Sequence, residues 1–218
     1  MTKFPWFSVT KVHPLVYAIR ENNHWEDVIS YLLIGTRTAY LIDTGMGYRS
    51  IKKVVASITS LPVVVLLTHA HWDHIGCVHE FKDVHIFDAP FERESLETGF
   101  LSQDIHELQD TFFLNDFAAR SYQAKGTRTY KTFQDRSMFE DPEFTVTVLH
   151  TPGHTPGSVC FWVPELQLLF TGDTLYPGPE YIFMKESNLP DYKKSIAKLV
   201  NKCLTEGKSD LTIFPGHN

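Results

Sequence analysis

The chain reads as a mixed α/β fold assembled in two βα-rich halves. Three observations predict it. Short apolar, β-branched runs recur between turn-prone Gly, Pro and Asn residues, as strands do. Two longer stretches carry apolar residues at helical spacing instead. Side chains able to bind metal cluster just after the apolar runs, where strand ends pass into loops.

The elements follow in order. Residues 9–12, 16–20, 30–35 and 38–42 predict successive strands, separated by Asn22-Asn23 and Gly35. Ile51, Val54, Val55 and Ile58 predict a helix over about 48–60. The run Val63-Val64-Val65-Leu66-Leu67 predicts a buried strand, and 74–81 a short helix with Ile75, Val78 and Phe81 on one face. A strand is expected at His85-Ile86-Phe87. The second half predicts strands near 127–133, 145–150, 158–163, 166–170 and 211–214. Between the last two, Pro190-Asp191 opens a helix that Gly207 ends, with the aspartate placed favourably for the helix dipole.

One stretch carries the chemistry. Thr68-His69-Ala70-His71-Trp72-Asp73-His74 sets three imidazoles and a carboxylate directly after an apolar run. Neutral imidazole is the commonest protein ligand for a transition metal, and carboxylate oxygen complements it. Strand periodicity lets His69 and His71 point the same way. Asp73 and His74 follow where the chain turns, and can face a second ion. One cluster cannot close two coordination spheres. Three later turns each add one metal-type residue after a short apolar run: His154 in Pro152-Gly153-His154, Asp173 in Thr171-Gly172-Asp173, and His217 in Pro215-Gly216-His217.

The segment from about 88 to 126 fits neither half. Leu101, Ile105, Leu108, Phe112 and Phe117, with Phe113 alongside, suggest a helical stripe, so a helical insertion is expected there. Its apolar face can be core, or it can cap an apolar pocket suited to an acyl chain. His106 in that stretch reads as surface polar, and Lys185 as a solvated loop lysine or a contact for an anionic group.

Composition excludes several classes. Hydrophobic residues are 43% and charged residues 21% of 218, an ordinary globular balance that suits one domain over 1–218. The net charge of -6 and the lack of a basic run argue against nucleic acid as a partner. No stretch is apolar and long enough to span a membrane or act as a signal peptide. Three cysteines without paired spacing suit free thiols in a reducing, cytoplasmic compartment. The expected partner is a small-molecule substrate, with no membrane partner; a dimer is left open.

These motifs, with Leu41-Ile42-Asp43-Thr44-Gly45 ahead of them, resemble the metallo-β-lactamase superfamily over nearly the whole chain. The resemblance implies a four-layer αβ/βα sandwich, two sheets face to face with helices outside. It implies that His69, His71 and His154 hold one divalent metal, that Asp73, His74 and His217 hold a second, and that Asp173 bridges them. Zinc is the expected metal, with iron or manganese as alternatives. An Asp at position 173 points to the branch similar to glyoxalase II, thioesterases and lactonases, and away from true β-lactamases. Glyoxalase II proper carries a further C-terminal helical module that is not expected here.

The implied reaction is hydrolysis of a thioester, ester or lactone. A divalent ion brings the pKa of bound water to about 7, so a bridging hydroxide can attack a carbonyl at neutral pH. Asp73 is the candidate to orient that nucleophile or pass its proton. Asp43 is either a turn residue or the acceptor that fixes a ligand histidine's tautomer. Tyr176 matches a tyrosine that assists the carbonyl oxygen in the quorum-signal lactonases, and equally suits a ring packed under its loop. The rival readings are a lactonase of that type and a mononuclear iron persulfide dioxygenase.

Overall fold

The computed structural model describes residues 6–105, 122–208 and 210–218. Its first sheet holds seven strands: β1 (Ser8–His13), β2 (Val16–Arg20), β3 (Ile29–Ile34), β4 (Ala39–Ile42), β5 (Val63–Leu66), β6 (Val84–Phe87) and β9 (Lys131–Phe133), adjacent in that order. β1 to β4 run antiparallel as hairpins. From β4 onward the neighbours are parallel, because helices intervene and carry the chain back over one face. The second sheet is β10 (Met138–Asp141), β11 (Phe144–His150), β12 (Val159–Val163), β13 (Leu168–Gly172) and β14 (Thr212–Pro215), with only the last pair parallel.

Alternation along the strands builds three packed layers of core. Leu33, Tyr40, Ile42 and Leu66 face Phe144, Val146, Phe161 and Phe170 of the other sheet, an aromatic-rich centre between the sheets. Their neighbours Leu32, Leu41, Val65 and Leu67 point outward to Ile51, Val54 and Val55 of α1 (Ile51–Ile58) and to Ile75 of α2 (Trp72–Ile75). On the far side Leu149, Trp162 and Leu169 meet Leu199 of α4 (Leu189–Glu206). The molecule is therefore the expected αβ/βα sandwich. Among the described residues no helix is long and apolar enough to cross a membrane.

Three local expectations change. The helix expected over 74–81 is α2 followed by a separate 3-10 turn at Val78–Glu80. The break falls at Gly76, whose Cα lies so close to the Met46–Gly47 backbone that an added Cβ would meet Met46 C at 2.0 Å. The insertion is helical at α3 (Pro90–Thr98), but Leu101 belongs to β7 (Phe100–Leu101), which pairs with β8 (Gln123–Ala124). Leu101 is exposed there, whereas Ile105 is buried against the helical side of the first sheet. Leu108, Phe112, Phe113, Phe117 and His106 lie outside the described residues. β10, finally, has no clear sequence signal: Met138-Phe139-Glu140-Asp141 pairs antiparallel with β11 as an edge.

Candidate metal centre

All seven expected donors meet at one edge of the sandwich, four from the first half and three from the second. β5 ends at Leu66, and the loop 67–71 carries His69 and His71 from it to α2, which presents Asp73 and His74. β11 leads into the turn of His154, β13 into that of Asp173, and β14 into that of His217. Every one of the seven is buried.

The donor atoms form two groups that share Asp173. His69 Nε2 lies 3.1 Å from His71 Nδ1, and His154 Nε2 lies 2.8 Å from the same atom. In the second group His74 Nε2 is 3.3 Å from His217 Nε2, with Asp73 Oδ2 at 3.6 and 3.5 Å from the two. Asp173 reaches both: Oδ2 is 3.4 Å from His154 Nε2 and 3.2 Å from His217 Nε2, and Oδ1 is 3.1 Å from His74 Nε2. Oδ1 nevertheless makes no hydrogen bond among the described residues. Donor atoms gathered at this spacing share a common point of aim.

The outer edges of the rings explain that aim. His74 Nδ1 faces Asp43 Oδ2 at 2.8 Å, His154 Nδ1 the Tyr181 carbonyl at 2.9 Å, and His217 Nδ1 the Glu26 carbonyl at 2.6 Å. Those partners only accept, so each ring carries its proton outward. His69 Nδ1 is 3.0 Å from Thr68 Oγ1, which spends its own proton on Asp43. The nitrogen on the inner edge of each ring is thereby available as a ligand.

Electrostatics favours positive charge within this cluster. Burial pushes His154 down to about 4 and His69 well below the ordinary imidazole value, so both are neutral donors. Burial opposes charge on His74 and His217 as well, yet Asp173 and Asp73 outweigh it, raising His217 to about 9 and His74 well above normal. Burial likewise disfavours the charge of Asp173, but His217, His74 and His69 hold its carboxyl well below the usual range. The protein's own carboxylates thus demand positive charge here. A divalent ion satisfies that demand, and imidazole with carboxylate is a donor set for zinc or iron.

The remaining candidates divide. Asp43 orients His74, as one of its two readings held, and takes the Thr68 amide and hydroxyl at 2.8 Å each. The Tyr176 ring packs against His217, centroids 5.5 Å apart. Its hydroxyl donates to the Pro179 carbonyl at 2.9 Å and accepts from the Tyr181 amide at 3.1 Å, while the residue also lines the cavity beside the donors. Lys185 stands exposed at the rim of a cavity of about 810 Å³ that opens onto His71, Asp73 and His217. Phe91, Phe100, Ile105, Tyr181 and Phe183 make much of its wall.

Two carboxylates escaped the sequence reading. Glu186 faces His71 Nε2 at 2.9 Å. Glu92, buried on α3, accepts from Thr155 Oγ1 at 2.5 Å and from the Gly157 amide at 3.0 Å, bracing the turn that carries His154. A charged residue on the buried face of a helix could have marked Glu92. Glu186 sits in no motif.

The chain is similar to several known proteins. Acyl-coenzyme A thioesterase MBLAC2 of Homo sapiens is 27% identical over 206 residues, covering 86% of this chain and 71% of that protein. Hydroxyacylglutathione hydrolase GloC of Haemophilus influenzae is 28% identical over 183 residues, covering 83% and 80%. Among solved structures, a metallo-beta-lactamase from Pontibacter korlensis superimposes with a TM-score of 0.70 at 18% identity, covering 97% of this chain and 91% of its own. The sequence profile of the metallo-beta-lactamase superfamily matches residues 25–217, and the chain belongs to that superfamily.

Proposed function

We propose that this chain is a metal-dependent hydrolase of thioester or ester bonds, thioester first, acting as one domain over residues 1–218. The observation that carries the reading is the pair of donor groups joined at Asp173 on the floor of an aromatic-walled cavity. The thioesterase and hydroxyacylglutathione hydrolase relatives support the same bond class.

His69, His71 and His154 would hold one divalent ion and Asp73, His74 and His217 the other, with Asp173 between them; zinc is the metal proposed. Two such ions supply Lewis acidity and water activation at neutral pH. The chain's own residues do the rest. Asp73 lines the cavity as well as the donor group, so its carboxylate can orient the attacking water and accept its proton. The walls of Phe91, Phe100, Ile105 and Phe183 bind an apolar acyl portion and keep bulk water from the carbonyl. Tyr176 holds the loop over His217. Hydrolysis then yields a carboxylic acid and a free thiol or alcohol.

The test is thiol release from a series of acyl thioesters, with metal content measured on the same samples. The expected result is about two zinc per chain and metal-dependent turnover. In His71→Ala and Asp173→Ala, turnover should fall by about a hundredfold or more. Metal-replete protein that releases no thiol would overturn the reading. One iron with oxygen uptake would replace it with the persulfide dioxygenase, and turnover of lactones alone would replace it with the lactonase.

A further inference from the structure

The five clustered histidines do not present the same nitrogen. Four turn Nε2 inward and are held at Nδ1 by Thr68, Asp43, Tyr181 and Glu26. His71 is reversed. Its Nδ1 meets His69 and His154, so its outer atom is Nε2, and the partner there is Glu186 Oε1 at 2.9 Å.

Glu186 belongs to the loop 176–188, and that loop touches the first donor group repeatedly. The Tyr181 carbonyl accepts from His154 Nδ1. Ser187 Oγ donates to the His154 carbonyl at 2.8 Å, and the Asn188 amide donates to the Gly153 carbonyl at 2.7 Å. The same loop forms one wall of the cavity through Tyr181, Phe183, Met184 and Glu186. It is therefore both a substrate wall and the outer brace of two ligand histidines.

We infer that Glu186 is a positioning residue for the first metal: its carboxylate accepts a hydrogen bond from His71 Nε2–H, leaves the Nδ1 lone pair directed inward, and ties the cavity loop to the first donor group. This rests on the proposed hydrolase reading and deepens it. A carboxylate is acceptor-only, so it selects the Nε2–H tautomer that ligation through Nδ1 requires. With that acceptor gone, the ring can turn over or take the wrong tautomer. Asp43 cannot substitute, since its carboxylate is engaged by His74 and Thr68.

The experiment measures zinc affinity of the full chain by competition with a chromophoric chelator, for wild type, Glu186→Ala and Glu186→Gln. A cobalt-substituted visible spectrum of each variant provides a second readout. In Glu186→Ala one of two affinities should weaken by about 10- to 100-fold and the other stay unchanged. Glu186→Gln, whose amide oxygen accepts the same hydrogen bond, should recover most of that loss and the wild-type cobalt spectrum. If Glu186→Ala folds poorly, the Gln variant still decides: a cobalt spectrum and affinities no closer to wild type than those of an Asp173→Ala protein would overturn the role. Wild type holding two zinc while Glu186→Ala keeps both affinities would overturn Glu186 alone. Wild type binding no zinc would remove the hydrolase reading and this inference together.

Discussion

Asp43 has a left-handed backbone, φ 60°, that few non-glycine residues adopt. It is kept there because its carboxylate closes three hydrogen bonds, to the Thr68 amide, the Thr68 hydroxyl and His74 Nδ1. Tyr176 is a second side chain whose job its partners define. Since its hydroxyl is committed to Pro179 and Tyr181, Tyr176→Phe should change kcat by less than about tenfold while raising KM, because a loop brace is lost and no oxyanion donor is removed. Steady-state kinetics on a thioester checks this; a large fall in kcat at unchanged KM would mean the phenol acts on the substrate. His24 gives a pH prediction. Burial lowers its pKa from 6.5 to about 4, so the unfolded chain binds the extra proton between those values. Stability is present above about 6.5 and is lost as pH falls toward 4, by about 3 kcal/mol for a shift of this size. In metal-stripped protein, urea unfolding of His24→Gln should show a shallower acid limb than wild type. His154 contributes in the same direction, so part of the slope remains.

At the scale of the element, the turns that carry ligands depend on close backbone approach. Gly153, one residue before His154, has φ 145°, and a Cβ there would meet the Tyr192 Cα at 2.4 Å. Gly153→Ala must therefore displace either the ligand turn or the start of α4. We expect a stability loss of about 1–3 kcal/mol with weaker metal retention, read from the urea midpoint and from metal content after dialysis. The α4 start is itself capped by Asn188, whose side chain accepts from the Asp191 amide at 3.0 Å. Asn188→Ala should cost about 1 kcal/mol, visible in the same urea titration. Both positions adjoin the loop that braces His71 and His154, so element stability and site geometry are linked here.

At the scale of the whole molecule, the donors join two sheets. The first half contributes His69, His71, Asp73 and His74, and the second contributes His154, Asp173 and His217. An ion that binds only when both halves are in place stabilises the folded chain by mass action, about 4 kcal/mol at a thousandfold excess over Kd. Chelation should therefore lower the melting temperature in calorimetry, and added zinc should restore it. An unchanged melting temperature would mean that the sheets are held by the aromatic layer between them alone. That layer, with Phe144, Phe161 and Phe170 fully buried, accounts for a fold that forms around the donors.

The strands and the main helices were legible because their apolar spacing is local: Val63-Val64-Val65-Leu66 or Ile51, Val54 and Val55 declare their geometry without help from distant residues. The donors were legible for a related reason, since imidazole and carboxylate in Gly- or Pro-marked turns after strands have few other uses. Where the helix beyond His74 breaks was not legible, because the cause is the Met46–Gly47 backbone packed on Gly76. Nor was the strand character of Leu101, which exists only through its pairing with Gln123. Sequence by itself determined the strands, the main helices and the seven metal-type side chains, and its resemblance to a family implied the layered architecture. Tertiary structure alone decided which nitrogen each histidine turns inward, where the Tyr176 hydroxyl points, and that Glu186 lies against His71. The physical reason is that a tautomer or a hydroxyl's direction is chosen by its nearest partner, and those partners are remote in the chain.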